Sequence, residues 1–119
     1  MNKTILLIED EKDILYTLKE FLEFEGYNVL TAENGFLAME LLKKNEMPNL
    51  ILLDMKMPIM NGWEFAAAFL GKYDKSAPII VTTAAVDAKQ RAKDIGASDW
   101  VEKPFDLDVL IEKIKKHVR

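Results

Sequence analysis

The sequence predicts an α/β domain built on a doubly wound, five-stranded parallel sheet with helices on both faces, a three-layer sandwich. Three observations carry this prediction. Short apolar runs recur at 4–8, 27–31, 49–53, 77–82 and 98–102. Each is followed by a helical pattern, at about 11–25, 34–46, 62–72, 86–95 and 106–118. The first and third runs, Ile5-Leu6-Leu7-Ile8 and Leu50-Ile51-Leu52-Leu53, are continuously apolar instead of alternating, as in strands covered on both faces. Short connections between the units favour parallel strands joined by crossover helices.

Each element has its own justification. The first strand runs straight into Glu9-Asp10, and the helix after it carries Ile14, Leu18, Phe21 and Leu22 at helical spacing. The third strand ends in Asp54, and Gly62 is the entry residue of the next helix. Gly26, Gly71 and Gly96 stand where the first, third and fourth helices are expected to stop. The fourth helix is the poorest, because its apolar positions, Ala88, Ala92 and Ile95, bury little area. It is expected to be short and weakly anchored. The last helix has Asp106 as N-cap, an apolar stripe of Leu107, Leu110, Ile111, Ile114 and Val118, and a basic end of Lys113, Lys115, Lys116 and Arg119.

Composition narrows the function. The 119 residues are the size of one domain, 1–119, with no visible linker, repeat or low-complexity segment. A net charge of −4 argues against a free-standing nucleic-acid binder. The absence of cysteine excludes disulfides, thiol catalysis and a cysteine-built zinc site, and it fits a cytoplasmic location. No apolar stretch approaches the roughly 20 residues of a membrane span, and the first residues do not read as a signal peptide.

The chemistry lies at the strand ends. If the first and third strands are neighbours, Glu9, Asp10 and Asp54 meet at one edge of the sheet. Clustered carboxylates repel unless a cation sits among them, and oxygen ligands suit a hard divalent metal, most simply Mg²⁺. Thr83 ends the fourth strand and Lys103 the fifth. A carboxylate that accepts a phosphoryl group needs a metal, a cation and a hydroxyl against the charge on the equatorial oxygens. Thr82 rivals Thr83 on sequence alone. The strand order does not follow from the pattern, but the order 2-1-3-4-5 would set the first and third strands side by side at a switch point, where such folds bind ligands.

At these residues the chain resembles the response-regulator receiver domains of two-component signalling, over nearly its whole length. The matching segments are Glu9-Asp10, Leu53-Asp54-Met55-Lys56-Met57-Pro58 with Asn61-Gly62, Thr83-Ala84, Gly96-Ala97 and Lys103-Pro104-Phe105. The resemblance implies a flavodoxin-like (βα)5 fold of order 2-1-3-4-5. It implies that Asp54 accepts a phosphoryl group from the phosphohistidine of a histidine kinase or histidine phosphotransfer protein, giving an acyl phosphate. Asp10 and Asp54 are then direct Mg²⁺ ligands, Glu9 acts through a water, and the carbonyl of Lys56 adds a backbone ligand. Lys103, before a cis Pro104, pairs with Asp54 and then with the phosphoryl oxygens. Thr83 closes on the phosphoryl group, and Trp100 holds the place of an aromatic switch. The fourth helix forms with the fifth strand and last helix the surface for a downstream protein target, and its weak anchoring predicts that it moves on phosphorylation. Such a domain turns over no external substrate and dephosphorylates itself slowly.

Several positions depart from the family pattern or read differently alone. Glu9 is longer than the aspartate often found there, Trp100 is bulkier than tyrosine or phenylalanine, and the stretch from Thr83 to Lys103 is about two residues short. Ala85 cannot hold an attacking water, so it gives no assistance to hydrolysis. His117 reads as solvated and silent, and Met55, Met57 and Met60 as filler at the edge of the site. Other classes fit less well. A haloacid-dehalogenase-type phosphatase needs a second acid where Lys56 stands. A flavin-phosphate loop would be repelled by Glu9-Asp10-Glu11. The alternative within the same fold is a phosphorylation-independent protein-binding module.

Overall fold

A computed structural model describes residues 2–84, 88–104 and 106–119. Strands and helices alternate along the chain as β1 (Thr4–Ile8), α1 (Lys12–Phe24), β2 (Asn28–Ala32), α2 (Gly35–Lys44), β3 (Leu50–Asp54), α3 (Gly62–Tyr73), β4 (Ile79–Thr83), α4 (Ala88–Asp94), β5 (Asp99–Glu102) and α5 (Leu107–His117). The sheet order is β2-β1-β3-β4-β5 and every pairing is parallel. The register sets Ile8 opposite Leu53, so the residues after β1 lie beside the end of β3.

Two apolar layers sandwich the sheet. Leu6, Ile8, Ile51, Leu53, Ile79 and Val81 face Phe65, Phe69, Ala38 and Leu42 on one side. Ile5, Leu7, Leu50, Leu52, Ile80 and Val101 face Leu15, Leu18, Leu22, Leu110 and Ile114 on the other. Alternate residues of β1 and β3 serve opposite layers, so both strands must be apolar throughout. Caps fix the helix starts. Asn34 accepts from Leu37 N at 2.9 Å. Asn61 and Glu64 form a reciprocal capping box. Asp106 accepts from Asp108 N and Val109 N.

Three boundaries differ from the sequence expectation. Gly71 does not end α3. The helix runs on through Tyr73 because Phe65 stacks on Phe69 and Phe69 packs against a tilted Tyr73 ring, with ring centroids 5.8 and 5.6 Å apart. It stops at Asp74, whose φ of 55° and ψ of −146° leave the helical region. Strand β4 begins at Ile79, after Pro78, and reaches Thr83. Helix α4 has seven residues and buries Ala88 and Ala92, with Ile95 just beyond it. Residues 86 and 87 of its expected span, Ala85 and Phe105 lie outside the described residues. Gly26 and Gly96 do follow helix ends, with φ of 98° and 70°. The Lys103–Pro104 peptide is cis.

Two glycines should respond oppositely to alanine. A Cβ at Gly62 would lie 2.7 Å from Met55 Cα and 2.9 Å from the Asp54 carbonyl oxygen. Backbone atoms cannot yield cheaply, so Gly62→Ala should destabilise the fold by about 2–3 kcal/mol. At Gly71 nothing stands within 4 Å, and Gly71→Ala should stabilise it by about 0.5–1 kcal/mol. Urea unfolding of the two variants reads both signs.

Candidate functional site

The carboxyl edge of β1 and β3 gathers Glu9, Asp10 and Asp54. Carboxylate oxygens from the three lie within 4.8 Å of one another. Pairing continues past β1, with Glu9 N donating to Ala32 O at 3.0 Å, and this draws the Glu9 side chain inward. Glu9 is 1% exposed and Asp54 4%. One Glu9 oxygen, Oε2, accepts from Glu11 N at 3.1 Å.

Lys103 reaches this cluster from the end of β5, where its backbone N donates to Thr83 O at 2.9 Å. Its ammonium is 2.6 Å from Glu9 Oε1 and 3.5 Å from Asp54 Oδ1. The ion pair with Asp54 is thus the longer of two. Sequence reasoning placed Lys103 on Asp54 and missed Glu9 as its nearer partner. The signal was available in the extra methylene of Glu9, which lets its carboxylate reach further.

Two negative charges remain uncompensated when all three carboxylates are ionised against the one Lys103 ammonium. The Asp54 carboxyl shows the strain. Burial pushes its pKa up, repulsion from Glu9 adds to this, Lys103 pulls it down, and hydrogen bonding and repulsion from Asp10 raise it again, to about 7. Burial works against the Lys103 charge, but the hydrogen bond to Glu9 and the attraction of Asp54 prevail and raise its pKa. An all-oxygen donor set of converging carboxylates, with one acid held partly protonated, fits a hard divalent cation such as Mg²⁺.

Thr83 and Thr82 are both buried. Thr82 is opposite Asp54 in the β3–β4 register, and Thr83 is one residue further out, opposite Glu102. Lys56 sits two residues after Asp54 with an exposed side chain, which leaves its carbonyl as the candidate ligand. Met55 and Met57 are buried in the core layer and Met60 packs against it.

The loop from Asp54 to α3 holds a feature with no sequence signal. Met60 N donates to Pro58 O at 2.7 Å, closing a three-residue turn on Ile59, whose φ is 68°. A β-branched residue is a steric outlier there, at a cost of about 1–3 kcal/mol.

A second polar cluster lies at the other end of β5. Asp99 Oδ1 is 3.0 Å from Lys113 Nζ, and Asp99 Oδ2 is 3.0 Å from His117 Nε2. Lys113 also donates to the Trp100 carbonyl at 2.5 Å and lies 4.7 Å from the centre of its ring. Burial raises the Asp99 pKa, but the bonds from Trp100 N, Lys113 and His117 outweigh it and hold it below the usual aspartate value. His117 is therefore a half-buried partner of Asp99 and not a solvated residue. The i, i+4 spacing of Lys113 and His117 on α5 lets both reach one acid.

The family model for the response regulator receiver domain matches residues 5–115. The transcriptional regulatory protein CrdR of Helicobacter pylori is 42% identical over 118 residues, covering 98% of this chain and 55% of that one. Sporulation initiation phosphotransferase F of Bacillus subtilis is 37% identical over 120 residues, covering 99% and 95%. The chain therefore spans about half the length of the first relative and nearly all of the second. Among solved structures, response regulator TrrA of Thermotoga maritima, in complex with Mg²⁺-BeF, superposes with a TM-score of 0.85 at 38% identity, covering 96% of this chain and 97% of that one. Chemotaxis response regulator CheY4 of Vibrio cholerae gives 0.88 at 29%, covering 98% of each.

The raised Asp54 pKa has a consequence for stability. Between its unfolded value near 4 and its folded value of about 7, the folded chain binds more protons at Asp54 than the unfolded chain. Without metal, the Asp54 contribution to stability should be greatest below that window and should fall as pH rises through it. Thermal melts in chelator from pH 5 to 8 should show Asp54→Asn gaining on the unaltered chain across the window and melting higher at pH 8.

Proposed function

The chain belongs to the response-regulator receiver family, and from that premise we propose that Asp54 is its phosphoacceptor. A carboxylate oxygen of Asp54 attacks the phosphorus of a phosphohistidine on a histidine kinase or histidine phosphotransfer protein. The P–N bond breaks, the imidazole leaves with a proton, and an aspartyl phosphate forms. The observation that carries this reading is the convergence of Glu9, Asp10 and Asp54 with the Lys103 ammonium 3.5 Å from Asp54.

Glu9, Asp10 and Asp54, with the carbonyl of Lys56, would hold Mg²⁺, which when bound supplies positive charge to the oxygens of the transferring group. Lys103 adds a fixed cation from the β5 side. Its double attachment keeps the ammonium at the pocket before the donor arrives, so little reorganisation remains at the moment of reaction. Thr83 offers a hydroxyl to a phosphoryl oxygen. In this role the protein catalyses its own phosphorylation and slow loss of the group, and no external substrate is turned over.

The 119 residues act as one cytoplasmic receiver domain. No described helix is long and apolar enough to cross a membrane. Output passes through α4, β5 and α5 to a protein target, with no direct nucleic-acid contact by this domain. Two observations support that surface. Among the described residues, the apolar groups buried by helix α4 and the residue after it are Ala88, Ala92 and Ile95, small in area, so a small change at the pocket can shift it. Trp100, in the position of the aromatic switch, lies half-buried between Lys89 and Lys113, 5.8 and 4.7 Å from its ring centre. The relative named a sporulation phosphotransferase, similar over nearly its whole length, favours a role as a phosphorelay intermediate. A binding module indifferent to phosphorylation finds no support in a pocket that keeps its three carboxylates, Lys103 and Thr83.

Incubation with Mg²⁺ and acetyl phosphate, followed by intact mass, should show the gain of one phosphoryl group. The gain should vanish in Asp54→Ala and in chelator, and Lys103→Ala should slow it by about 100-fold. An unchanged gain in Asp54→Ala would sink the assignment. Hydrogen exchange should be faster over 88–96 than in the flanking strands and should change on phosphorylation. Slow, uniform exchange indifferent to the phosphoryl group would exclude a moving α4.

A further inference from the structure

We propose that Arg91, stacked on Trp63, is a latch that holds α4 against the start of α3 in the unphosphorylated chain, and that its release eases conversion of the pocket to the phosphorylated form. The proposal rests on the phosphoacceptor reading of Asp54.

Helix α4 has seven residues and little apolar area with which to keep its place. Among the described residues it buries the methyls of Ala88 and Ala92, with Ile95 just after its end. A cleft of about 290 Å³ lies between α3 and the end of α4, lined by Trp63, Ala66, Ala67, Leu70, Asp94 and Ile95. At this cleft the Arg91 guanidinium sits 4.7 Å from the centre of the Trp63 ring. On the other flank of α4, Lys89 lies 5.8 Å from the centre of the Trp100 ring. Two residues apart on a helix means roughly 200° around its axis, so α4 reaches a different indole on each side with a cation of its own. Both tryptophans of the chain are used in this way.

The magnitudes give the Trp63 contact its weight. A cation over an indole contributes about as much as burying one methyl group. Against a broad helix interface that is minor, but against two alanine methyls it is a large share. The two cation contacts are unequal. The Lys89 contact is near the roughly 6 Å limit of such an attraction, and Lys113 already faces the same ring at 4.7 Å. Arg91 is closer to its ring, and a planar guanidinium stacks on an aromatic face.

Trp63 is a fixed post for this latch. It is the second residue of α3, whose start is held by the reciprocal cap of Asn61 and Glu64. The residue before it, Gly62, donates to the carbonyl of Met55 at 3.0 Å, one residue past Asp54. The latch therefore joins a weakly held helix to a loop rooted beside the phosphoacceptor. A contact made in only one conformation biases the equilibrium toward it. By reciprocity, losing that contact strengthens binding of any group that prefers the other conformation.

The test uses Trp63→Leu, Arg91→Gln and their double variant. Lys72→Gln is the control, since Lys72 lies 5.4 Å from the Tyr73 ring within α3. Arg91 has a further interaction besides this ring, and the double-mutant cycle isolates the pair from it. In the unphosphorylated chain, hydrogen exchange over 88–96 should speed up by about two- to fivefold in each single variant and no further in the double. In saturating Mg²⁺, calorimetry should show the affinity for beryllofluoride, an unreactive stand-in for the phosphoryl group, rising by a similar factor. The control should match the unaltered chain in both measurements. Exchange unchanged in the single variants would overturn the latch. So would effects that add in the double variant, faster exchange without a gain in beryllofluoride affinity, or an equal effect in the control. An unaltered chain that takes up neither beryllofluoride nor a phosphoryl group from acetyl phosphate instead brings down the phosphoacceptor reading, and this role for Arg91 with it.

Discussion

Carboxylates crowded onto one edge of a buried sheet are the constraint on which the rest of this structure depends. Glu9 and Asp54 are nearly inaccessible to solvent, Asp10 lies beside them, and one lysine reaches the group. Water cannot screen charges at that depth, so protonation, a cation or both must settle them. The fold meets part of the demand. Lys103 is tied to Glu9 and Asp54 at once, and Asp54 is held near the middle of the physiological pH range. What remains is a site with a standing preference for positive charge, which the rigid frame of β1 and β3 prevents from relaxing by spreading the acids apart.

That frame explains why the sequence was readable where it was. Strands covered on both faces must be apolar at every position, so β1 and β3 announced themselves, and an acid directly after such a run stood out. The continuous runs also marked the strand ends as the place for chemistry. The order of strands was a different matter. Nothing in local periodicity states which strand neighbours which, and the order came from the resemblance. Lys103 illustrates the same limit at the level of side chains. Its arrival at the pocket was legible from the Lys-Pro step at the end of a strand, but its nearer partner depended on how far Glu9 reaches into the space between β1 and β5. His117 was misread because its partner, Asp99, is 18 residues away and becomes a neighbour only when α5 folds back along β5.

The other departures share one cause, namely tertiary packing overriding a local signal. Gly71 is a fair helix terminator in isolation, yet packing of Phe69 against the Tyr73 ring carries α3 past it. Ile59 is a poor residue for a positive φ, yet three backbone hydrogen bonds around it leave the chain no other path. In the first case packing within the fold compensates the local cost. In the second it does not, and the uncompensated cost sets Ile59 apart from the other exposed apolar residues among those described.

The two ends of β5 show how the proposed signal could leave the pocket. At its carboxyl end, Lys103 is bound to the acids and its backbone is joined to Thr83. At its amino end, Asp99 and the Trp100 carbonyl are gripped by Lys113 and His117 of α5. Strand and helix are therefore coupled by short polar contacts as well as by the apolar layer. Helix α4 meets the same strand with Ala88 and Ala92, with Ile95 just beyond it and Lys89 5.8 Å from the centre of the Trp100 ring. A new charge at Asp54 that pulled on Lys103 and Thr83 would find β5 and α5 stiff and α4 compliant. On the proposed reading α4 is the element that would move, because its small apolar groups give up little buried area. On that reading the small side chains of α4 would set a low threshold for rearrangement beside the sheet.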